Sequence, residues 1–150
     1  MIAMRVIGLW IARWFGCGLF PYGPGTIGAL GAIPVQLVLM RLSAPTHITC
    51  VVAITILGIW ASGKAVEALG TDDPQQVVVD EVAGTLIAMA FVRGHSVWSL
   101  AVAFIAFRLL DIFKPGPIDA VQRVKPEGFA IMADDILAGL GAGLIALLIP

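Results

Sequence analysis

Charge is what this sequence has least of. Lys, Arg, Asp and Glu make up 13% of its 150 residues, against 59% hydrophobic, and mean hydropathy is +0.99. Soluble domains run nearer a quarter charged, so water is a poor solvent for this surface. A very apolar soluble helical oligomer is the competing reading on composition alone. The net charge of −1 supplies no basic face, which argues against nucleic acid as a partner. Cysteine is scarce too. Cys17 and Cys50 are far apart, with no CxxC and no Cys/His cluster, so two buried thiols are expected rather than a disulfide framework or structural zinc. The two histidines, His47 at a helix start and His95 in a turn, lie away from the acids, which leaves nucleophilic triads poorly supported. No stretch alternates apolar and polar residues with period two, so β structure is not expected. Repeats and low-complexity linkers are also missing, and residues 1–150 read as one domain.

What the chain does have is helix-length apolar segments: Ile27–Met40, Ile48–Ala61, Val82–Val92, Val97–Leu110 and Ile136–Ile149. Several are shorter than the ~20 residues a bilayer span needs, so each helix either extends past its apolar run or stops short of crossing. Val82–Val92 and Val97–Leu110 form a tight hairpin through Arg93-Gly94-His95-Ser96. Met1–Leu19 is apolar but broken by Arg5 and Arg13, which suits an interfacial helix better than a cleavable signal. The expected fold is therefore all-α: a polytopic helical membrane protein with about five apolar helices plus an N-terminal interfacial helix. If all five cross, with the segment before Ile27 inside, then Arg5, Arg13, Lys64, Arg108, Lys114, Arg123 and Lys125 lie inside and only Arg41 and Arg93 outside. That distribution satisfies the positive-inside rule and puts the polar clusters on the cytoplasmic side.

Those clusters carry the chemistry. Asp80-Glu81, Asp111 and Asp134-Asp135 each adjoin an apolar run. A carboxylate in a membrane segment is costly and normally has a partner, and the natural partner of several convergent carboxylates is a hard divalent cation. Asp80 precedes Gly84 by four residues and Asp135 precedes Gly139 by four, so each acid shares a helix face with a glycine where another helix can approach. The plainer reading, that the acids end helices and complement their dipoles, weakens as the clusters multiply. Arg108, Asp111 and Lys114 are three apart and line one helix face before Pro115 and Pro117 stop it. They read either as an interfacial ion-pair ladder or as a metal ligand, Asp111, with two cations for a phosphate. The loop from Gly16 to Gly25 leads into Thr26 as a helix cap; with Pro24 where a Walker A lysine belongs, it is no P-loop. Without a histidine among the acids, metal-activated water is the simplest nucleophile, and direct attack by an aspartate is the alternative.

The stretches Gly16-Cys17-Gly18-Leu19-Phe20-Pro21-Tyr22-Gly23-Pro24-Gly25-Thr26-Ile27-Gly28, Val79-Asp80-Glu81-Val82-Ala83-Gly84, Phe107-Arg108-Leu109-Leu110-Asp111-Ile112-Phe113-Lys114-Pro115-Gly116-Pro117-Ile118 and Gly128-Phe129-Ala130-Ile131-Met132-Ala133-Asp134-Asp135-Ile136-Leu137-Ala138-Gly139 together resemble the phosphatidylglycerophosphatase A family. The resemblance covers roughly residues 15–147. It implies a Mg²⁺-dependent lipid phosphatase that converts phosphatidylglycerophosphate to phosphatidylglycerol and phosphate. The site would face the cytoplasm at the bacterial inner membrane. It maps the family's acidic metal positions onto Asp80, Glu81, Asp111, Asp134 and Asp135, and its phosphate-side positions onto Thr26, Arg108 and Lys114. Asp80, Asp111, Asp134, Asp135 and Lys114 would then be catalytic. Cys17 and Ala130 depart from the pattern, where a small hydroxyl residue and a glycine are common; neither removes a carboxylate. The rival from another class is an ion- or proton-coupled transporter, disfavoured because the acids sit at one membrane edge and no inverted repeat is visible. A helical scaffold whose acids merely pair with Arg108 and Lys114 is the third reading.

Overall fold

The computed structural model describes residues 2–92 and 96–148, and all regular structure in them is helical. The helices are α1 (Ile2–Ala12), α2 (Pro24–Leu39), α3 (Ala44–Leu69), α4 (Val79–Ala90), α5 (Val97–Phe113), α6 (Pro117–Val121) and α7 (Glu127–Ala146), with a 3₁₀ segment over Trp14–Leu19 between α1 and α2. The turn expected at Arg93-Gly94-His95 lies outside the described residues.

All five expected apolar helices form, but their ends differ from the apolar runs for local reasons. α2 starts at Pro24, whose fixed φ and missing N–H suit a first helical position, so Gly23 (φ 59°) is the cap and Thr26 falls inside the first turn. α3 runs past its apolar stretch to Leu69, where left-handed Gly70 (φ 71°) ends it. α7 begins at Glu127, well before Ile136, so Asp134 and Asp135 sit inside a helix rather than at its start. Dipole complementation therefore explains Asp80 and Glu81, in the first turn of α4, but not the Asp134-Asp135 pair. Pro117 does not end a helix but opens α6.

The structure does not support the expected count of about five spans. Among the described residues two helices, α3 with 26 residues and α7 with 20, are long and apolar enough to cross a membrane. At 1.5 Å per residue, the 12-residue α4 is only about 18 Å long, against the ~30 Å of a hydrocarbon core. α4 is instead the central strut. Val79, Val82, Ala83, Leu86, Ala88 and Met89 are buried around its circumference, with α2, α3, α5 and α7 packed against it. The outside of the bundle stays apolar: Ile48, Val52 and Ile56 form an exposed stripe on α3, and Ile105 and Leu109 on α5, Leu140 and Leu144 on α7 are exposed as well. α1 packs along the C-terminal third of α3, Gly8 against Lys64 and Arg5 3.7 Å from Glu67, with Met4, Ile7 and Trp10 outward.

The α4–α7 crossing sets the site. A Cβ on Gly139 would lie 2.5 Å from the Gly84 carbonyl oxygen, and one on Gly84 would meet the Phe107 ring and, at 2.8 Å, the Asp135 carbonyl. The two backbones touch, as small residues permit, and run in the same direction, since Gly84 faces Asp135 and Gly139 while Phe91 faces Gly143. One turn before each glycine stands an acid, so the contact that packs the helices also brings Asp80 to Asp135. Gly139→Ala is expected to cost about 1–3 kcal/mol by overpacking this crossing and to lower the thermal unfolding temperature in detergent. An unchanged transition would show that the crossing has slack.

Candidate active site

A cavity of about 590 Å³ opens at the end of the bundle where α4 and α7 begin and α5 ends. Asp80, Glu81, Asp111, Lys114, Asp134 and Asp135 all line it. Three helices thus deliver acids to one wall, from the first turn of α4, the last turn of α5 and the second and third turns of α7, and the cap of α5 adds Lys114. Convergence is tightest for Asp80, Glu81 and Asp135, which each bring one carboxylate oxygen within 4.8 Å of the other two. Asp111 and Asp134 each hold a cation instead. Arg108 Nη1 donates to Asp111 Oδ2, and Lys114 Nζ donates to Asp134 Oδ2 at 2.5 Å. The glycine loop finds its use beside them, because Gly25 lies directly against the Glu81 carboxyl, in space that a side chain would occupy.

Oxygen is the donor these residues share. Glu81 Oε2, Asp134 Oδ1 and Asp135 Oδ2 are buried with no hydrogen-bond partner among the described residues. Buried carboxylate oxygens without donors are electrostatically incomplete, and a divalent cation at the Asp80, Glu81 and Asp135 set would supply the missing positive charge. The acid cluster can therefore hold a divalent metal, with Asp80, Glu81 and Asp135 the tightest set.

Around the acids sit the cations. Lys114 occupies the left-handed region (φ 43°, ψ 58°) as the cap of α5, which turns its stem off the helix. Burial alone would lower its pKa, but the ion pair with Asp134 and the charges of Asp135 and Asp111 outweigh that and raise it. It therefore stays an ammonium across physiological pH. Thr26 and Arg108 are not on the cavity wall: Arg108 stands behind Asp111, and its Nη2 is 3.4 Å from Thr26 Oγ1. The wall also carries residues that sequence reasoning passed over, Asp72, Asp73, Arg123 and Gln122 among them. Gln122 follows Lys114 by eight residues across two prolines, and no helix periodicity links the two positions.

A helical bundle with two membrane-length helices among the described residues, an outer apolar surface and a one-ended acid cluster with adjoining cations has the parts that phosphoryl-transfer chemistry uses. Residues 10–150 match the phosphatidylglycerophosphatase A family, and the chain belongs to it. It is 33% identical over 136 residues to phosphatidylglycerophosphatase A of Escherichia coli K12, covering 90% of this chain and 79% of that one. The corresponding protein of Haemophilus influenzae is 32% identical over 136 residues, with 90% and 83% covered. A Bacteroides thetaiotaomicron protein provisionally named phosphatidylinositol-3-phosphatase is 37% identical over 137 residues, 87% of this chain and 85% of its own. No solved structure is a significant match. The protein is thus an enzyme of the phosphatidylglycerophosphatase type.

Proposed function

We propose that this enzyme hydrolyses the terminal phosphomonoester of phosphatidylglycerophosphate to phosphatidylglycerol and phosphate, using Mg²⁺, at the cytoplasmic face of the bacterial inner membrane. The observation that carries the reading is the convergence of Asp80, Glu81 and Asp135 beside the Lys114–Asp134 pair in one cavity. Oxygen-only donors favour Mg²⁺ or a similarly hard cation over softer metals. Bound by Asp80, Glu81 and Asp135, with Asp111 and Asp134 as the further carboxylates, such a cation supplies positive charge to the phosphoryl oxygens and lowers the pKa of water.

The chain's own residues do the rest. Lys114 presents an ammonium to the phosphoryl group, where negative charge is greatest in the transition state. Arg108 fixes the Asp111 carboxylate and adds a second positive charge behind it, with Thr26 seating the guanidinium. Asp134, buried and tied to Lys114 through Oδ2, holds the ammonium at the cavity wall. The apolar flanks of α5 and α7 suit acyl chains, so the headgroup enters from the side of the bundle while its lipid tails stay in the bilayer.

The test is phosphate release by the detergent-solubilised protein from phosphatidylglycerophosphate, with phosphatidylinositol-3-phosphate in parallel because of the Bacteroides relative's name. Release from phosphatidylglycerophosphate is expected with Mg²⁺, none after EDTA, and recovery on adding Mg²⁺ back. Turnover indifferent to chelation would sink the cation's role. Preference for the inositol lipid would reassign the substrate.

A further inference from the structure

We infer that Gln122 is a positioning residue for catalysis, holding the Lys114 ammonium over the cavity through a neutral hydrogen bond. The inference rests on the role proposed above for Lys114. An ammonium has three donors and no acceptor. One N–H of Lys114 goes to Asp134 Oδ2 at 2.5 Å and a second to Gln122 Oε1 at 3.3 Å, which leaves the third for a ligand in the cavity that all three side chains line. The amide is itself oriented. Gln122 Nε2 donates to Asp119 Oδ1 at 2.9 Å and to the Asp119 carbonyl at 3.2 Å, so only its oxygen is free to face the lysine. Chemistry leaves no other assignment, because a lysine can only donate and a carboxylate can only accept.

The backbone points the same way. A left-handed Lys114 is in a conformation that glycine or asparagine would adopt at less strain, and it turns the ammonium toward Asp134. Between Lys114 and Gln122 run Pro115, Gly116 and the short α6 opened by Pro117, a stiff link that fixes the amide relative to the stem it tethers. Asp134 anchors the ammonium from α7 and Gln122 from beyond α6, so the four-carbon stem is held from two sides. The second anchor is uncharged. It restricts the lysine without cancelling the positive charge that a phosphate requires, whereas two carboxylates would neutralise it.

Gln122→Leu removes the acceptor at similar volume. It is expected to lower kcat about tenfold with KM changed far less, because the loosened ammonium still attracts a phosphate but no longer meets the transition state in place. Thermal unfolding should be unchanged. Gln122→Glu keeps an acceptor oxygen but sets a second carboxylate against the ammonium and loses the donor that faces Asp119, so it should stay well below wild-type kcat. The decisive comparison uses Lys114→Ala, with single turnovers at excess enzyme so that residual rates are readable. In that background Gln122→Leu should change the rate less than about twofold, since its effect travels through the missing lysine. Four results would overturn the inference: wild-type kcat for Gln122→Leu with Lys114→Ala crippled, a full further loss in the Lys114→Ala background, a lowered unfolding temperature that accounts for the loss, or wild-type kcat for Gln122→Glu. Wild-type turnover by Lys114→Ala is distinguishable from all four, because it removes the lysine's role itself.

Discussion

Asparagine at Asp80 or Asp135 is expected to reduce phosphate release by at least about a thousandfold while leaving the protein as stable as the wild type, or more so, in metal-free buffer. Three carboxylates with oxygens inside 4.8 Å repel one another when no cation is bound, and neutralising one at constant shape relieves that repulsion. At the proposed cation site the same change would remove an anionic ligand, so turnover should fall by the several kcal/mol of charge stabilisation that a bound metal would supply. Two measurements separate this from damage to the fold. Wild-type protein should unfold at a higher temperature when Mg²⁺ is added, by mass action on the folded state, and the Asp80→Asn and Asp135→Asn proteins should lose that increment. Variants that keep both turnover and the Mg²⁺-dependent rise would eliminate the assigned cation site.

Lys114→Ala is the second large effect. A clamp on the transferring phosphoryl group acts where charge develops, so its loss should lower kcat by roughly a hundred- to a thousandfold and not merely weaken binding. If the Lys114–Asp134 contact were an ordinary surface pair, its removal would cost only ~0–1 kcal/mol of stability and leave turnover nearly intact. Burial argues otherwise at one end, since the Asp134 side chain is 7% exposed and loses its only ion-pair partner among the described residues. Arg108→Lys should be impaired but measurable, because a lysine cannot hold Asp111 and reach Thr26 with the planar fork that Arg108 uses. Wild-type rates in both variants would show that the phosphate is held elsewhere, with the Gly16–Thr26 loop the next place to look.

Helical class, the identity of the apolar segments and the acids at stake follow from the sequence alone, since each rests on local chemistry. Apolar runs without period-two alternation select helices, and carboxylates beside such runs demand a partner wherever the runs end up. The four-residue offset from acid to glycine at Asp80–Gly84 and Asp135–Gly139 even anticipates which faces meet. Tertiary structure alone decided the number of membrane-length helices, because α4 is short yet buried on every side, and hydropathy cannot separate a core strut from a span. It also decided the division among the five acids. Asp80, Glu81 and Asp135 crowd together because α4 and α7 touch at two glycines, while Asp111 and Asp134 take cations contributed by α5 and its cap. Gln122 entered the site only through a turn built from two prolines and a left-handed lysine, which brings residues eight apart into hydrogen-bond range. No periodicity encodes such a contact: its geometry depends on where α7 places Asp134, and that is fixed by packing across the whole bundle.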